Sequence, residues 1–128
     1  MRGTLQHRSP SFDTRQRCDS RVLWQVVAAI AAQICDGMLA LESSGIVHRD
    51  LAARNILLRS FDTTIPSRIS VCIADFGLAV PDDYYGGGKA IPVRWVPPEV
   101  LRRRRFSSKS DVWAFCVTLW EVLFLFLS

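Results

Sequence analysis

Apolar residues recur at Leu23, Val26, Val27, Ile30, Ile34, Met38 and Leu41. That spacing lines one face of a helix and predicts a single amphipathic helix from about Arg21 to Ser44. Asp19 or Ser20 offers its N-cap, and Gly45 stands where a left-handed terminating residue is expected. Residues 6 to 20 are polar, contain Ser9-Pro10-Ser11, and show no period; they read as loop. Ile56-Leu57-Leu58 and Ile69 to Ile73 are short, apolar and partly β-branched, which predicts two strands joined by a polar loop through Pro66. Tyr84 to Lys89 surrounds three consecutive glycines and reads as a mobile stretch. Pro97-Pro98 opens a short helix, since proline is tolerated in a first turn. Ser110 caps a last helix from Asp111 to about Phe126, apolar nearly all round, the pattern of a buried core helix. The fold class expected is mainly α with a small β-hairpin (α+β).

Composition narrows this picture only a little. The chain has 128 residues, enough for one domain, with 49% hydrophobic and 22% charged residues, ordinary for a globular protein. The formal charge of +4 is modest, and a mildly basic solvated surface accounts for it without nucleic acid. Cys18, Cys35, Cys72 and Cys116 form no C-x-x-C pair and have no His at ligand spacing, so zinc is not expected. Cys35, Cys72 and Cys116 lie in apolar stretches and read as small buried hydrophobes. Free thiols fit a reducing, cytoplasmic setting. The polar, Arg-rich start has no apolar segment of the secretory type. Val112 to Leu127 is apolar, but Glu121 interrupts it and it falls short of the roughly 20 residues a span needs. A small tail-anchored membrane protein is therefore the weakest of three readings.

Three motifs follow in order. His48-Arg49-Asp50-Leu51-Ala52-Ala53-Arg54-Asn55 lies between the long helix and the first strand. Asp75-Phe76-Gly77 follows the second strand. Pro92-Val93-Arg94-Trp95-Val96-Pro97-Pro98-Glu99 comes next, trailed by Ser110-Asp111-Val112-Trp113. A lone D-F-G or H-R-D carries little information. The eight-residue string is specific, and the ordered set on a loop, a strand end and a helix start is more so. Read singly, Asp50 and Asn55 are also ordinary turn-capping residues, and Asp111 an ordinary partner for a helix N-terminus.

The set resembles the protein kinases, and its Ala-Ala-Arg-Asn form resembles the tyrosine-specific branch. The resemblance runs from about Leu23 to Glu121, with Met1 to Leu5 similar to the hinge. It implies the C-terminal lobe of a protein kinase-like fold, truncated: residues 1–20 a hinge-like start and loop, residues 21–128 a partial kinase domain. It implies ATP and Mg²⁺ as cofactors and a protein substrate bearing a tyrosine. By the same resemblance Asp50 is the catalytic base and Arg54 acts beside the transferred phosphoryl group. Asn55 and Asp75 are the Mg²⁺ ligands and, with Leu57, nucleotide-binding residues. His48, Phe76, Gly77, Glu99 and Asp111 are structural, Gly77 freeing the backbone around Asp75 and Asp111 holding the backbone of His48 and Arg49. Tyr84 and Tyr85 are similar to activation-loop phosphorylation sites of insulin-receptor-like kinases, with Arg49 as the partner of the phosphate. Arg102 to Arg105 is read as a solvated helix end.

The pattern also departs from the family. No Gly-rich phosphate loop, V-A-I-K lysine or partner glutamate precedes the long helix, so half of the ATP cleft is expected to be missing. The loop from Arg59 to Arg68 is long, and Leu123 to Ser128 does not continue like a kinase. The expectation is a tyrosine kinase-like domain inactive on its own, paired with another kinase or with the missing lobe. The alternative is a non-catalytic docking module. Cytoplasmic placement, or the cytoplasmic side of a receptor, goes with either.

Overall fold

The computed structural model describes residues 20–62, 64–86 and 90–128. The hinge-like start, nearly all of the loop after it, Cys18, the Asp19 cap and Lys89 lie outside these residues. Helix α1 spans Ser20–Ser43, within a residue of its predicted bounds. Val26, Val27, Ile30 and Ile34 form its buried stripe. The helix ends on Gly45, whose φ of 67° is the left-handed geometry glycine adopts without steric cost. Its amide donates to the Glu42 carbonyl at 2.9 Å.

Among the described residues three two-stranded antiparallel ladders follow, where one hairpin is predicted. Strand β1 (Ile46–Val47) pairs with β4 (Val80–Pro81), and β2 (Ile56–Ser60) pairs with β3 (Ser70–Ile73) through Ile56↔Ile73, Leu57↔Cys72 and Leu58↔Val71. Strand β5 (Tyr84–Tyr85) pairs with β6 (Arg105–Phe106). The stretch read as mobile thus begins inside a ladder. Helix α2 covers Pro98–Arg103, opened by Pro97 and Pro98 as predicted. Gln33 of α1 fastens β3: its Nε2 donates to the Ile69 carbonyl at 2.9 Å and its Oε1 accepts the Val71 amide at 3.0 Å.

Helix α3 spans Ser108–Leu127 and starts three residues before its predicted first residue, Asp111. Ser107 is the N-cap, and Ser110 is the N3 partner whose Oγ accepts the Ser107 amide at 3.0 Å. Burial is the larger correction. Only Ser110, Asp111, Ala114, Thr118 and Val122 are buried, a four-residue repeat of mostly small side chains that lets α1 approach closely. Trp113, Trp120, Phe124 and Leu125 face outward, and Trp120 stacks on Phe124 at 5.6 Å. Cys116 is exposed on this face, contrary to its reading as a buried hydrophobe, while Cys35 and Cys72 are half-buried. By length and composition α1 and α3 could each cross a membrane. Their polar residues Gln33, Asp111 and Glu121 are instead committed to internal hydrogen bonds.

One apolar cluster joins Val26, Ile30 and Ile34 of α1 to Leu51, Ile69, Ala114 and Val122. A second gathers Val47, Val96, Val100 and Phe106. Leu51 contributes to the first and Val47 to the second, so the segment from Val47 to Asn55 is gripped from both sides.

Candidate active site

Leu51 and Ala52 are fully buried and anchor the loop that presents His48 to Asn55. Helix α3 then pins it by two carboxylates. Asp111 Oδ2 accepts the His48 amide at 2.8 Å, and its Oδ1 accepts the Arg49 amide at 3.1 Å. Burial pushes the Asp111 carboxyl above its usual range, against the two amide hydrogen bonds that favour the anion. Nearly three turns further along, Glu121 Oε2 accepts the Ala53 amide and the Trp95 indole N–H, each at 2.9 Å. The sequence showed Glu121 only as a charge interrupting an apolar run; an isolated carboxylate in such a helix was the available signal for a half-buried acceptor.

The backbone is strained both on this loop and at the Asp75 segment. Arg49 has φ 70° and Asp75 has φ 59°, left-handed values uncommon outside glycine. His48 spans the two segments. Its Nδ1 faces the Asp50 amide at 3.2 Å, which can only donate, so Nδ1 accepts and Nε2 carries the proton to the Ala74 carbonyl at 3.0 Å. The Ala74 amide donates to the Asn55 carbonyl at 2.8 Å. His48 and Asn55 thus fix the residue immediately before Asp75.

Asp50, Arg54 and Asn55 form one unit. Arg54 Nη2 donates to Asp50 Oδ1 at 2.5 Å. Asn55 Nδ2 donates to the Asp50 carbonyl at 2.7 Å and to its Oδ2 at 3.2 Å. The Arg54 guanidinium also lies over the Trp95 ring, 4.5 Å from its centre. Trp95 therefore couples Arg54 to Glu121. Asp75 is exposed, its Oδ1 accepting the Gly77 amide at 3.3 Å. Phe76 is half-exposed and meets the buried His48 ring edge-on at 5.2 Å. Gly77 is not in the left-handed region in this conformation; Asp75 is. Leu57 projects from β2 and is 53% exposed.

Arg49 is the site's second cation. Its guanidinium lies 4.1 Å from the centre of the Phe106 ring and 5.0 Å from that of Tyr84. Its Nη1 reaches the Leu78 carbonyl at 3.4 Å, and its Nε is buried without a hydrogen bond among the described residues. Tyr84 is 36% exposed and Tyr85 63%. Glu99 sits exposed in the first turn of α2 and makes no ion pair among the described residues. It stands apart from the cluster, as do Arg102 and Arg103 in the last turn of α2.

A family model described as "Protein tyrosine and serine/threonine kinase" matches residues 4–126. Tyrosine-protein kinase Btk of Drosophila melanogaster is 51% identical over 94 residues, 70% of this chain and 11% of that protein. The NT-3 growth factor receptor of Sus scrofa is 46% identical over 98 residues, 73% of this chain and 11% of the receptor. The insulin-like receptor of Caenorhabditis elegans is 49% identical over 100 residues, 74% of this chain and 5% of the receptor. The chain spans only a small part of the length of these relatives.

Proposed function

Since the chain belongs to the protein tyrosine and serine/threonine kinase family, we propose that it forms the lower half of a tyrosine kinase active site. The reaction is ATP-dependent phosphoryl transfer to a protein tyrosine. The observation that carries this reading is the single hydrogen-bonded unit of Asp50, Arg54 and Asn55, held by Asp111 and Glu121 from α3. Asp50 orients the substrate hydroxyl and accepts its proton. Arg54 places positive charge beside the transferred group, and Trp95 keeps the guanidinium in place.

The donor set suits Mg²⁺. Asn55 turns its Nδ2 to Asp50, which leaves its carboxamide oxygen free, and the Asp75 carboxylate is exposed. Both are hard oxygen donors. Among the described residues no three carboxylate, His or Cys side chains gather into a metal cage. Mg²⁺ favours this arrangement, one or two protein oxygens with the rest from phosphates and water. Bound there with ATP, it would neutralise phosphate charge. The lysine and glycine-rich loop that complete the nucleotide cleft in the family are not among the 128 residues. We propose accordingly that these residues act only together with an upper half, in a cytoplasmic setting.

Tyr84 and Tyr85 are proposed as regulatory phosphorylation sites of this unit. The half-buried Arg49 beside Tyr84, whose buried Nε has no hydrogen bond among the described residues, supports this. The test is to fuse the upper lobe of a tyrosine kinase to this chain and follow transfer from Mg·ATP to a mixed peptide pool. Phosphotyrosine is expected on phosphoamino-acid analysis; a product that is mainly phosphoserine would refute the tyrosine assignment.

A further inference from the structure

The C-terminal half of α1, strand β1 and the first turns of α3 enclose a cavity of about 100 Å³, open on one side. Its walls are Cys35, Met38, Leu39, Ile46, Val112 and Phe115, an almost wholly apolar lining. The polar groups at this place are already engaged. Asp111 gives both carboxylate oxygens to the His48 and Arg49 amides, and the Ser108 amide donates to Asp82 Oδ1 at 3.0 Å. Water in the cavity therefore finds few of the partners that hold a buried water in place. An apolar guest displaces such poorly held water with a gain in affinity.

Charge decides which apolar guest. Glu42 and Asp111 also line the cavity, and no basic residue does. Glu42 is exposed at the mouth and makes no ion pair among the described residues. The charge of Asp82 reaches the same place, since it helps to raise the Asp111 carboxyl. The neighbouring cations are turned elsewhere. Lys109 lines a separate groove with Trp113 and Trp120, and Arg49 lies against the Phe106 and Tyr84 rings. Carboxylates of one sign around an apolar recess focus a negative potential into it. Size sets the rest. The volume is of the order of the roughly 150 Å³ engineered cavity that takes a benzene ring. Met38 and Phe115 suit a ring as well, through sulfur–aromatic and edge-to-face contacts.

We propose that this cavity binds a small aralkylammonium, one aromatic ring on a short chain ending in a protonated amine, with the ring between Met38 and Phe115 and the ammonium at Glu42. The site is separate from the cluster around Asp50, and the proposal goes beyond the kinase reading without resting on it. The two places are linked through Asp111. A cation held at the cavity favours the carboxylate anion that accepts the His48 and Arg49 amides.

The experiment uses phenethylammonium, 2-phenylethanol and 3-phenylpropanoate, probes of similar body and different charge, on the full chain at low ionic strength. Cys35 lies in the wall and reports occupancy by its rate of alkylation with iodoacetamide, resolved by peptide mass spectrometry. Exposed Cys116, outside the cavity, is the internal control. Phenethylammonium should protect Cys35 saturably and leave Cys116 unchanged. The alcohol should bind roughly two- to fivefold more weakly, the size of an exposed ion pair, and the carboxylate more weakly still. Glu42→Gln should remove the advantage of the amine over the alcohol, and Glu42→Lys should make the carboxylate the better ligand. Glu42 is exposed, so neither variant threatens the fold. In ¹H–¹⁵N spectra the His48 and Arg49 amides should shift with the same midpoint, a reading that needs no thiol reactivity. Phenethylammonium binding that neither measurement detects, equal affinity for the three probes, or a preference for the amine that survives Glu42→Gln would overturn the proposal. Neither measurement involves phosphoryl transfer, so the outcome is independent of whether Asp50 acts as a base.

Discussion

Trp95 and Glu121 meet through one hydrogen bond, indole N–H to Oε2 at 2.9 Å, and that same oxygen also holds the Ala53 amide. One carboxylate thereby ties the Trp95 segment and the loop of Asp50 to a single helix. Because Arg54 lies over the Trp95 ring, the tie extends to the guanidinium proposed to act at the phosphoryl group.

Glu121→Ala leaves two donors without their acceptor. It should cost about 2–4 kcal/mol of stability, since each hydrogen bond to a charged group is worth roughly 1.5–3 kcal/mol before relaxation. Glu121→Gln retains an acceptor oxygen and should cost less than half as much. Urea midpoints of the three proteins decide the matter; equal losses for Ala and Gln would mean that the carboxylate packs rather than accepts.

The long helix and the grouping of Asp50, Arg54 and Asn55 were legible in sequence because both are local. The α1 stripe repeats over several turns, and Asp50, Arg54 and Asn55 fall within one short string. The β2–β3 hairpin was legible too, but the two shorter ladders were not. Val47 pairs with Val80, and Tyr85 with Arg105, in two-residue strands too short to show a period. The role of Glu121 was hidden for the same reason, since its partners lie 68 and 26 residues away. The burial of α3 was misread because apolarity on every side does not say which side has a neighbour.

Asp111 gives a pH dependence whose sign follows from its burial. Its folded-state pKa is raised above the ordinary 3.8 by desolvation, aided by the nearby Asp82 charge and opposed by the amides and charge of His48 and the Arg49 amide. Between 3.8 and the raised value the folded chain holds a proton that the unfolded chain releases. Stability from this group is therefore full below the unfolded value and declines as pH rises through the folded one. Asp111→Asn removes the titration. The stability of the wild type relative to Asp111→Asn should be greatest near pH 4 and fall toward pH 7, read by denaturant melts at each pH. A difference that grows with pH would contradict the assignment.

Gly86 borders the same loop. A Cβ there would lie 2.5 Å from Tyr84 Cε1 and 3.3 Å from Arg49 Nη2. The tyrosine ring is the part that can move, so Gly86→Ala should displace it from Arg49 at a stability cost of about 1 kcal/mol, within the usual range for overpacking. Tyr84 should become the more reactive tyrosine toward nitration, and cleavage by trypsin after Arg104 should accelerate as β5 leaves β6. Unchanged nitration would show that the loop absorbs the methyl elsewhere.

In the fused enzyme, Asp50 and Arg54 should separate by role although they touch. Asp50→Asn keeps the shape and the acceptor for Asn55 but removes the charge proposed to orient and deprotonate the substrate hydroxyl. A loss of roughly 10²–10⁴-fold in kcat is expected, the range for general acid–base catalysis. Arg54→Lys keeps a positive charge. A single ammonium, however, cannot both bind Asp50 Oδ1 and lie flat on the Trp95 ring as the planar guanidinium does. Its deficit should be smaller, and part of it should appear in KM for the tyrosine peptide, if the guanidinium positions the acceptor as well as the phosphoryl group as proposed. Steady-state kinetics on both variants separate the two roles. A drop under about threefold for Asp50→Asn would remove it as the base, since even weak general-base assistance exceeds that factor.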